Sequence, residues 1–225
     1  ATFLSLDERE QEKRMMIAQL SHDIKTPITS IQVTVEGILD GVIKEEERLH
    51  YLTTIGRQTE RLNKLVEELD VLTLNTQPQD TADEEVEEVF LDQLLIESMS
   101  EFQLQIEQEE RDVYIQVSPE SAKIKSYYDK LSRILVNLLN NAFKYSEPGT
   151  RIEVLAQLTE EELIISVKDE GQGILPEDLE KIFNRLYRVE TSRNMKTGGH
   201  GLGLAIAREL AHQLGGEITA ESQYG

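Results

Sequence analysis

The segment Ile17-Ala18-Gln19-Leu20-Ser21-His22-Asp23-Ile24-Lys25-Thr26-Pro27-Ile28 decides how the first third of the chain folds. Its apolar residues Ile17, Leu20, Ile24 and Ile28 continue to Ile31, Val35 and Ile38 in steps of three and four, a near-heptad stripe on one helix face. Asp40-Gly41 interrupts the stripe, which resumes with Leu52, Ile55, Leu62, Val66 and Leu69, Thr59 filling the seam. This predicts two long helices joined by a short turn, an all-α helical hairpin over residues 1–76. A lone hairpin buries too little apolar surface, so the stripe predicts a partner. The simplest is a second copy, giving a homodimer with a four-helix bundle. The alternative is docking on the remainder of the same chain.

His22 sits two residues from both Leu20 and Ile24, which places it roughly 200° from each of those core positions, on the exposed face. Pro27 falls inside the helical pattern and removes the backbone N–H that would bond the Asp23 carbonyl, a cost of about 3 kcal/mol. A loosened turn beside a reactive histidine would give that cost a purpose. Neutral imidazole is a nucleophile near pH 7, and an adjacent carboxylate, Asp23, can orient the ring and accept its proton. Thr26, one turn on, shares the face of His22, where its hydroxyl could hold a water or a phosphoryl oxygen.

At 225 residues the chain is long enough for one or two domains. Its formal net charge of −20 excludes nucleic-acid binding as the main activity, since phosphate contacts need clustered Lys and Arg. The same charge argues against adsorption to an anionic membrane face. Without cysteine there is no disulfide, thiolate metal site or cysteine nucleophile, and four scattered histidines offer little to a transition metal. The chain starts at Ala1 with no apolar run of about 18 residues and no signal-peptide pattern, so it reads as a soluble fragment or as a processed chain.

Residues 77–86, polar, acidic and carrying Pro78, read as a linker to a second region over 87–225. There 113–117 is a strand candidate, 130–144 a helix, and 151–156 with 163–167 a hairpin turning at 159–162. A further helix follows Leu202, and 216–220 reads as a closing strand. Helices on one face of a mixed sheet, an α+β two-layer sandwich, is the expected architecture.

Three motifs in this region suggest chemistry. On the 130–144 helix, Asn137, Asn141 and Lys144 fall within about 60° of one another, offset from an apolar face of Leu131, Leu135, Leu138 and Ala142. Solvated faces usually carry Glu, Lys and Arg, because Asn is a poor helix former. An amide oxygen suits Mg²⁺, and a lysine one turn away suits a phosphate. Asp169-Glu170-Gly171-Gln172-Gly173 follows a strand, where Asp169 can accept from an exocyclic amine and the glycines let a flat ligand approach. Gly198-Gly199-His200-Gly201-Leu202-Gly203 feeds a helix N-terminus, a phosphate cradle in several unrelated folds. The polar stretch 190–197 between the glycine clusters reads as a lid, with Arg185 and Arg188 before it as phosphate contacts. The spacing matches neither a P-loop nor a Rossmann fingerprint.

In this order, His22-Asp23-x-x-Thr26-Pro27, Asn137-x-x-x-Asn141-x-x-Lys144-Tyr145, Asp169-x-Gly171-x-Gly173, Ile182-Phe183-x-Arg185-x-Tyr187-Arg188 and Gly199-x-Gly201-x-Gly203, the sequence resembles a two-component sensor histidine kinase. The resemblance implies a dimerisation and phosphotransfer hairpin followed by an ATP-binding domain of the gyrase and Hsp90 type. It implies that His22 is the phospho-acceptor, that Asp23 orients or deprotonates it, and that Thr26 supports dephosphorylation of a phosphorylated response regulator. It implies Asn141 as Mg²⁺ ligand with Asn137 close by, and Lys144 and Tyr145 lining the nucleotide. Asp169 would bind the adenine amine, Gly171 and Gly173 giving the ring room. Arg185, Arg188, Gly199, Gly201 and Gly203 would serve the phosphates. The implied cofactors are ATP and Mg²⁺. The implied partners are a second copy and the receiver domain of a response regulator, in the cytoplasmic portion of a membrane-anchored bacterial sensor.

Two departures accompany the resemblance. One more strand would be expected beyond Tyr224-Gly225, and the sensory and membrane parts would lie upstream of Ala1. His50, His200 and His212 match no acceptor position and read as ordinary helix or loop residues. A phosphatase using the nucleotide as a switch, and a dimeric ATPase or scaffold, are the competing functions. The last of these leaves His22, Asp23 and Pro27 unexplained.

Overall fold

A computed structural model describes residues 2–73, 85–184, 187 and 201–224. The chain divides into two compact units, 1–74 and 75–225.

The first unit is a helical hairpin. Helix α1 spans Thr2–Leu39 and runs through Pro27 without interruption, the proline ring buried. Gly41, at φ +71°, makes the turn, and the Ile43 N–H donates to the Gly37 carbonyl at 2.9 Å. A 3₁₀ turn over Glu45–Glu47 leads into α2, Arg48–Thr73. Leu20, Pro27 and Leu65 are buried, but much of the stripe is not covered. Ile17 is 56% exposed, Ile28 46%, Leu52 54% and Val66 52%, and Ile28, Ile31, Gln32, Val35 and Glu36 line an open groove. A single hairpin therefore leaves apolar surface in water, each such side chain forgoing part of the roughly 1.5–3 kcal/mol of full burial.

The second unit is α+β. Strand β1 (Glu87–Phe90) pairs antiparallel with β3 (Lys123–Ser126). A three-stranded mixed sheet has the order β2-β4-β5, from Asp112–Ser118, Arg151–Leu158 and Leu163–Asp169. β2 and β4 are parallel and β4 and β5 antiparallel. Alternation puts every second side chain on the core face. Register then lines up Val113 with Ile152, then Ile115, Val154 and Val167, then Val117, Ala156 and Ile165. The β4–β5 turn closes at 159–162 as expected, the Thr159 N–H donating to the Glu162 carbonyl at 2.9 Å.

Helix α3 (Leu91–Ser100), the short α4 (Gln103–Gln108) and α5 (Tyr128–Tyr145) contribute to one core with this sheet. Helix α6 (Gly203–Gln213) packs against α5. The buried face of α5 is Leu131, Leu135, Leu139, Ala142 and Phe143, with Leu138 only half-buried. Leu139, not Leu138, therefore completes the core face, which turns that face further from Asn137 and Asn141 than a face built on Leu138 would lie.

The strand expected at 216–220 is not formed. A strand exists through its ladder, and 216–224 makes none. Its contacts go instead to the β5 loop, where the Ile174 N–H donates to Ser222 Oγ at 2.8 Å. Most of the linker expected at 77–86 lies outside the described residues, apart from the exposed Glu85 and Val86.

Candidate functional site

The residues expected to carry chemistry fall into two sets, one in each unit. In the hairpin, α1 holds His22 outward with 69% of its side chain exposed. Asp23 is far more enclosed, its side chain 13% exposed, and its Oδ1 lies 3.3 Å from His22 Nδ1. A proton on Nδ1 directed at this carboxylate leaves the lone pair on Nε2, facing solvent. Thr26 Oγ1 donates to the His22 carbonyl at 3.0 Å. The hydroxyl proton is thus spent on the backbone, and what remains is acceptor capacity. That suits holding a water and does not suit donating to a phosphoryl oxygen, the other role considered for Thr26.

In the second unit α5 is the common element. Asn137 Nδ2 donates to the Arg133 carbonyl at 2.9 Å, which turns its Oδ1 towards the start of α6. There a Cβ on Gly203 would lie 3.0 Å from that oxygen, so only a glycine lets the helix N-terminus come this close without a shift. Gly201 takes φ +70° just before it. One turn along α5, Asn141 is half-buried, and no hydrogen bond among the described residues engages its amide. Lys144 Nζ lies 5.0 Å from the centre of the Tyr145 ring.

The far end of α5 meets the loop after β5. Ser146 and Gly171 form a β-bridge, and a Cβ on Gly171 would lie 2.5 Å from the Tyr145 carbonyl. Asp169 stands at the end of β5, Oδ1 accepting from the Gly171 N–H at 2.8 Å. Gly173 has φ +75°, and a Cβ there would lie 2.1 Å from the Gln223 carbonyl. Asparagine face, helix N-terminus and acidic glycine loop therefore all meet α5. Arg185, Arg188 and Gly199 lie outside the described residues, as do the stretch 190–197 and His200. His50 stacks edge-on against Tyr51, and His212 lies 3.8 Å from Glu217.

The residues fit a nucleotide with a divalent ion. The glycines let the loop after β5 and the start of α6 pack closely against Tyr145, Gln223 and Asn137, and among the described residues no hydrogen bond engages the Asn141 amide oxygen. Among the described residues no group of three or more His, Asp or Glu is placed to hold a metal. An ion here would be shared with substrate phosphates, which is how Mg²⁺ is usually held.

Comparison with known proteins gives the same division. Residues 12–77 match the His Kinase A (phospho-acceptor) domain, and 127–225 match the histidine kinase-, DNA gyrase B- and HSP90-like ATPase family. This chain belongs to the sensor histidine kinases. It is 40% identical over 221 residues to the histidine protein kinase SaeS of Staphylococcus epidermidis and, equally, to SaeS of Staphylococcus aureus. The match covers 96% of this chain and 62% of those proteins, so the chain spans less than two thirds of their length. The Acinetobacter baumannii histidine kinase AdeS superposes with a TM-score of 0.70 at 26% identity, covering 90% of this chain and 92% of that one. The histidine kinase ThkA, solved in complex with the response regulator protein TrrA, shares the fold with a TM-score of 0.66 at 20% identity, over 99% of this chain and 64% of that one.

Two features of this histidine kinase core escaped sequence reasoning. Asp178 is buried, and its Oδ1 accepts from the Tyr187 hydroxyl at 2.5 Å, tying the end of the Ile182-to-Arg188 motif to the turn that precedes it. The neighbouring Phe183 is buried, with the Arg208 guanidinium 5.9 Å from its ring centre. The other is Arg111, buried among acidic neighbours in the sequence and bonded to residues over thirty positions away. Asp178 carried only the weak signal of an acid beside an apolar motif, and Arg111 carried none.

Proposed function

We propose that this chain is the catalytic core of an ATP-dependent protein-histidine autokinase. It would transfer the γ-phosphoryl of ATP to His22 and pass it to an aspartate of a response regulator. What supports this most is His22 itself: an exposed imidazole with Nδ1 3.3 Å from a half-enclosed carboxylate, in a chain of this family that also carries an ATPase domain.

The step balances simply. The Nε2 lone pair forms the N–P bond while the bond between γ-phosphorus and the bridging oxygen breaks, releasing ADP. The Nδ1 proton is held by Asp23, which offsets the positive charge that builds on the ring. The phosphoryl transition state is loose, so positioning and charge neutralisation do most of the catalysis. In the second unit Asn141, with Asn137 near it, would hold Mg²⁺, which when bound supplies positive charge to the phosphate oxygens. Lys144 and Tyr145 line the nucleotide and Asp169 accepts from the adenine amine; Gly171 and Gly173, expected to give the ring room, instead let the loop carrying Asp169 close on the Tyr145 and Gln223 carbonyls. Gly199, Gly201 and Gly203 with Arg185 and Arg188 serve the phosphates.

A second activity is favoured by Thr26. With its proton on the His22 carbonyl, its oxygen can accept from a water, which would assist removal of phosphate from the regulator. The uncovered stripe of α1 and α2 supports a homodimer through residues 1–76, with 77–86 as linker and 87–225 as the ATP-binding domain. No helix among the described residues is long and apolar enough to cross a membrane. The placement we infer is the cytoplasmic portion of a membrane-anchored sensor. Incubation with γ-labelled ATP, with and without Mg²⁺, tests the reading: label should appear on the chain only with the metal.

A further inference from the structure

Among the described residues of the second unit Arg111 has the most heavily bonded side chain, 1% exposed. Its Nε and Nη2 both lie 2.7 Å from Glu109 Oε2. Nη1 donates to Ser146 Oγ at 2.9 Å, to Thr150 Oγ1 at 2.8 Å and to the Glu147 carbonyl. Nη2 donates to the Phe143 carbonyl at 3.2 Å and the Ser146 carbonyl at 2.9 Å. The guanidinium lies 5.7 Å from the Phe143 ring centre, and that ring stacks on Phe102 at 4.7 Å.

Apart from Glu109, these acceptors have one thing in common: they belong to the last turn of α5 and the segment that leaves it. A helix ends with carbonyls that have no partner within the helix, and its dipole favours a cation there. Only the planar fork of arginine can reach so many acceptors at once. Most of the buried charge is offset by Glu109, so the clamp is a network rather than a lone ion.

We infer that Arg111 is a positioning residue for the nucleotide site. Among the described residues its hydrogen bonds go to none of those assigned to the nucleotide, and it acts through Ser146. Ser146 bridges to Gly171, Gly171 sits against the Tyr145 carbonyl, and the Gly171 N–H orients Asp169. Release of the α5 terminus would let Tyr145, Gly171 and Asp169 separate, while Asn137, about two turns back, and Asn141, about one turn back, stay within the helix that serves the phosphates. Loss of Arg111 is therefore expected to weaken nucleotide capture more than the transfer step. The inference rests on the nucleotide site proposed above.

The test uses the full 225-residue chain and its Arg111→Met and Arg111→Lys variants. Circular dichroism reports folding, displacement of a fluorescent ATP analogue by Mg-ATP reports affinity, and autophosphorylation of His22 gives KM and kcat. Charge-assisted bonds of this kind predict an affinity loss of roughly ten- to hundredfold for folded Arg111→Met, with a matching rise in KM and kcat within about threefold. Arg111→Lys should fall between. Folded variants that bind Mg-ATP as the wild type does would overturn the role of Arg111 alone. A wild-type chain that fails to bind Mg-ATP would overturn the nucleotide site itself, and this inference with it. If Arg111→Met does not fold, Ser146→Ala carries the same test. A KM raised about threefold or more supports the clamp, and an unchanged KM overturns it.

Discussion

His22 Nδ1 lies 3.3 Å from Asp23 Oδ1, and the two side chains differ sharply in exposure, 69% against 13%. The proposed acceptor nitrogen can thus face an incoming nucleotide while the carboxylate proposed to steady the ring stays partly withdrawn from water. A carboxylate in this position acts on orientation and on the charge of the product. Asp23→Asn keeps the size and removes the charge, so autophosphorylation should slow by about a hundredfold or more, with Mg-ATP affinity unchanged. Rate and affinity measured side by side on the variant check this.

Thr26 should separate two activities. Thr26→Ala removes the oxygen positioned by the His22 carbonyl, and Thr26→Ser keeps it. Phosphate release from a phosphorylated receiver domain should fall tenfold or more in Thr26→Ala and persist in Thr26→Ser, on the order of one lost positioning bond. Autophosphorylation at His22 should continue in both.

The glycine loop offers a sharper contrast. Gly173 and Gly215 have nearly the same φ, +75° and +77°. A Cβ at Gly173 would meet the Gln223 carbonyl at 2.1 Å, whereas one at Gly215 meets nothing within 4 Å. Alanine at either position should cost about 1–2 kcal/mol of backbone strain, a melting-temperature drop of a few degrees. Only Gly173→Ala should also reduce Mg-ATP binding, because it displaces the loop. Calorimetric melts together with nucleotide titrations distinguish the two.

One tie between α3 and α5 should be visible to pH. Burial, then a hydrogen bond to Glu97, pushes the Tyr128 hydroxyl up to about 12. Its folded value lies above the ordinary value of about 10, so its contribution to stability is full below pH 10 and is lost between pH 10 and 12. The same bond, with one from Gln93, holds the Glu97 carboxyl below its usual range. Ultraviolet titration should show one of the seven tyrosines ionising late, and Tyr128→Phe should remove that step.

How much of this was legible depended on whether the signal was local. The exposure of His22 followed from its angle to Leu20 and Ile24, because a helix converts spacing into direction. The β4–β5 hairpin followed from alternation around Thr159-Glu160-Glu161-Glu162. Helix α3 could have been found, since Leu91, Leu94, Leu95, Ser98 and Met99 form a buried stripe at helical spacing. The 216–220 segment has strand-like residues, but a strand is defined by its neighbour, and it forms no ladder; it is the following residues Ser222, Gln223 and Tyr224 that meet Ile174 and Gly173. Arg111 was illegible for a related reason: its partners at Phe143, Ser146 and Thr150 come near only once β2, α5 and β4 have assembled.

The most direct test of the central claim is chemical. The wild-type chain and His22→Gln are incubated with γ-labelled ATP and Mg²⁺, and the labelled protein is treated with acid and with alkali. A phosphoramidate on His22 predicts label on the wild type that is lost in acid and survives alkali, and no label on His22→Gln. Label that survives acid, or that persists on His22→Gln, would contradict the account.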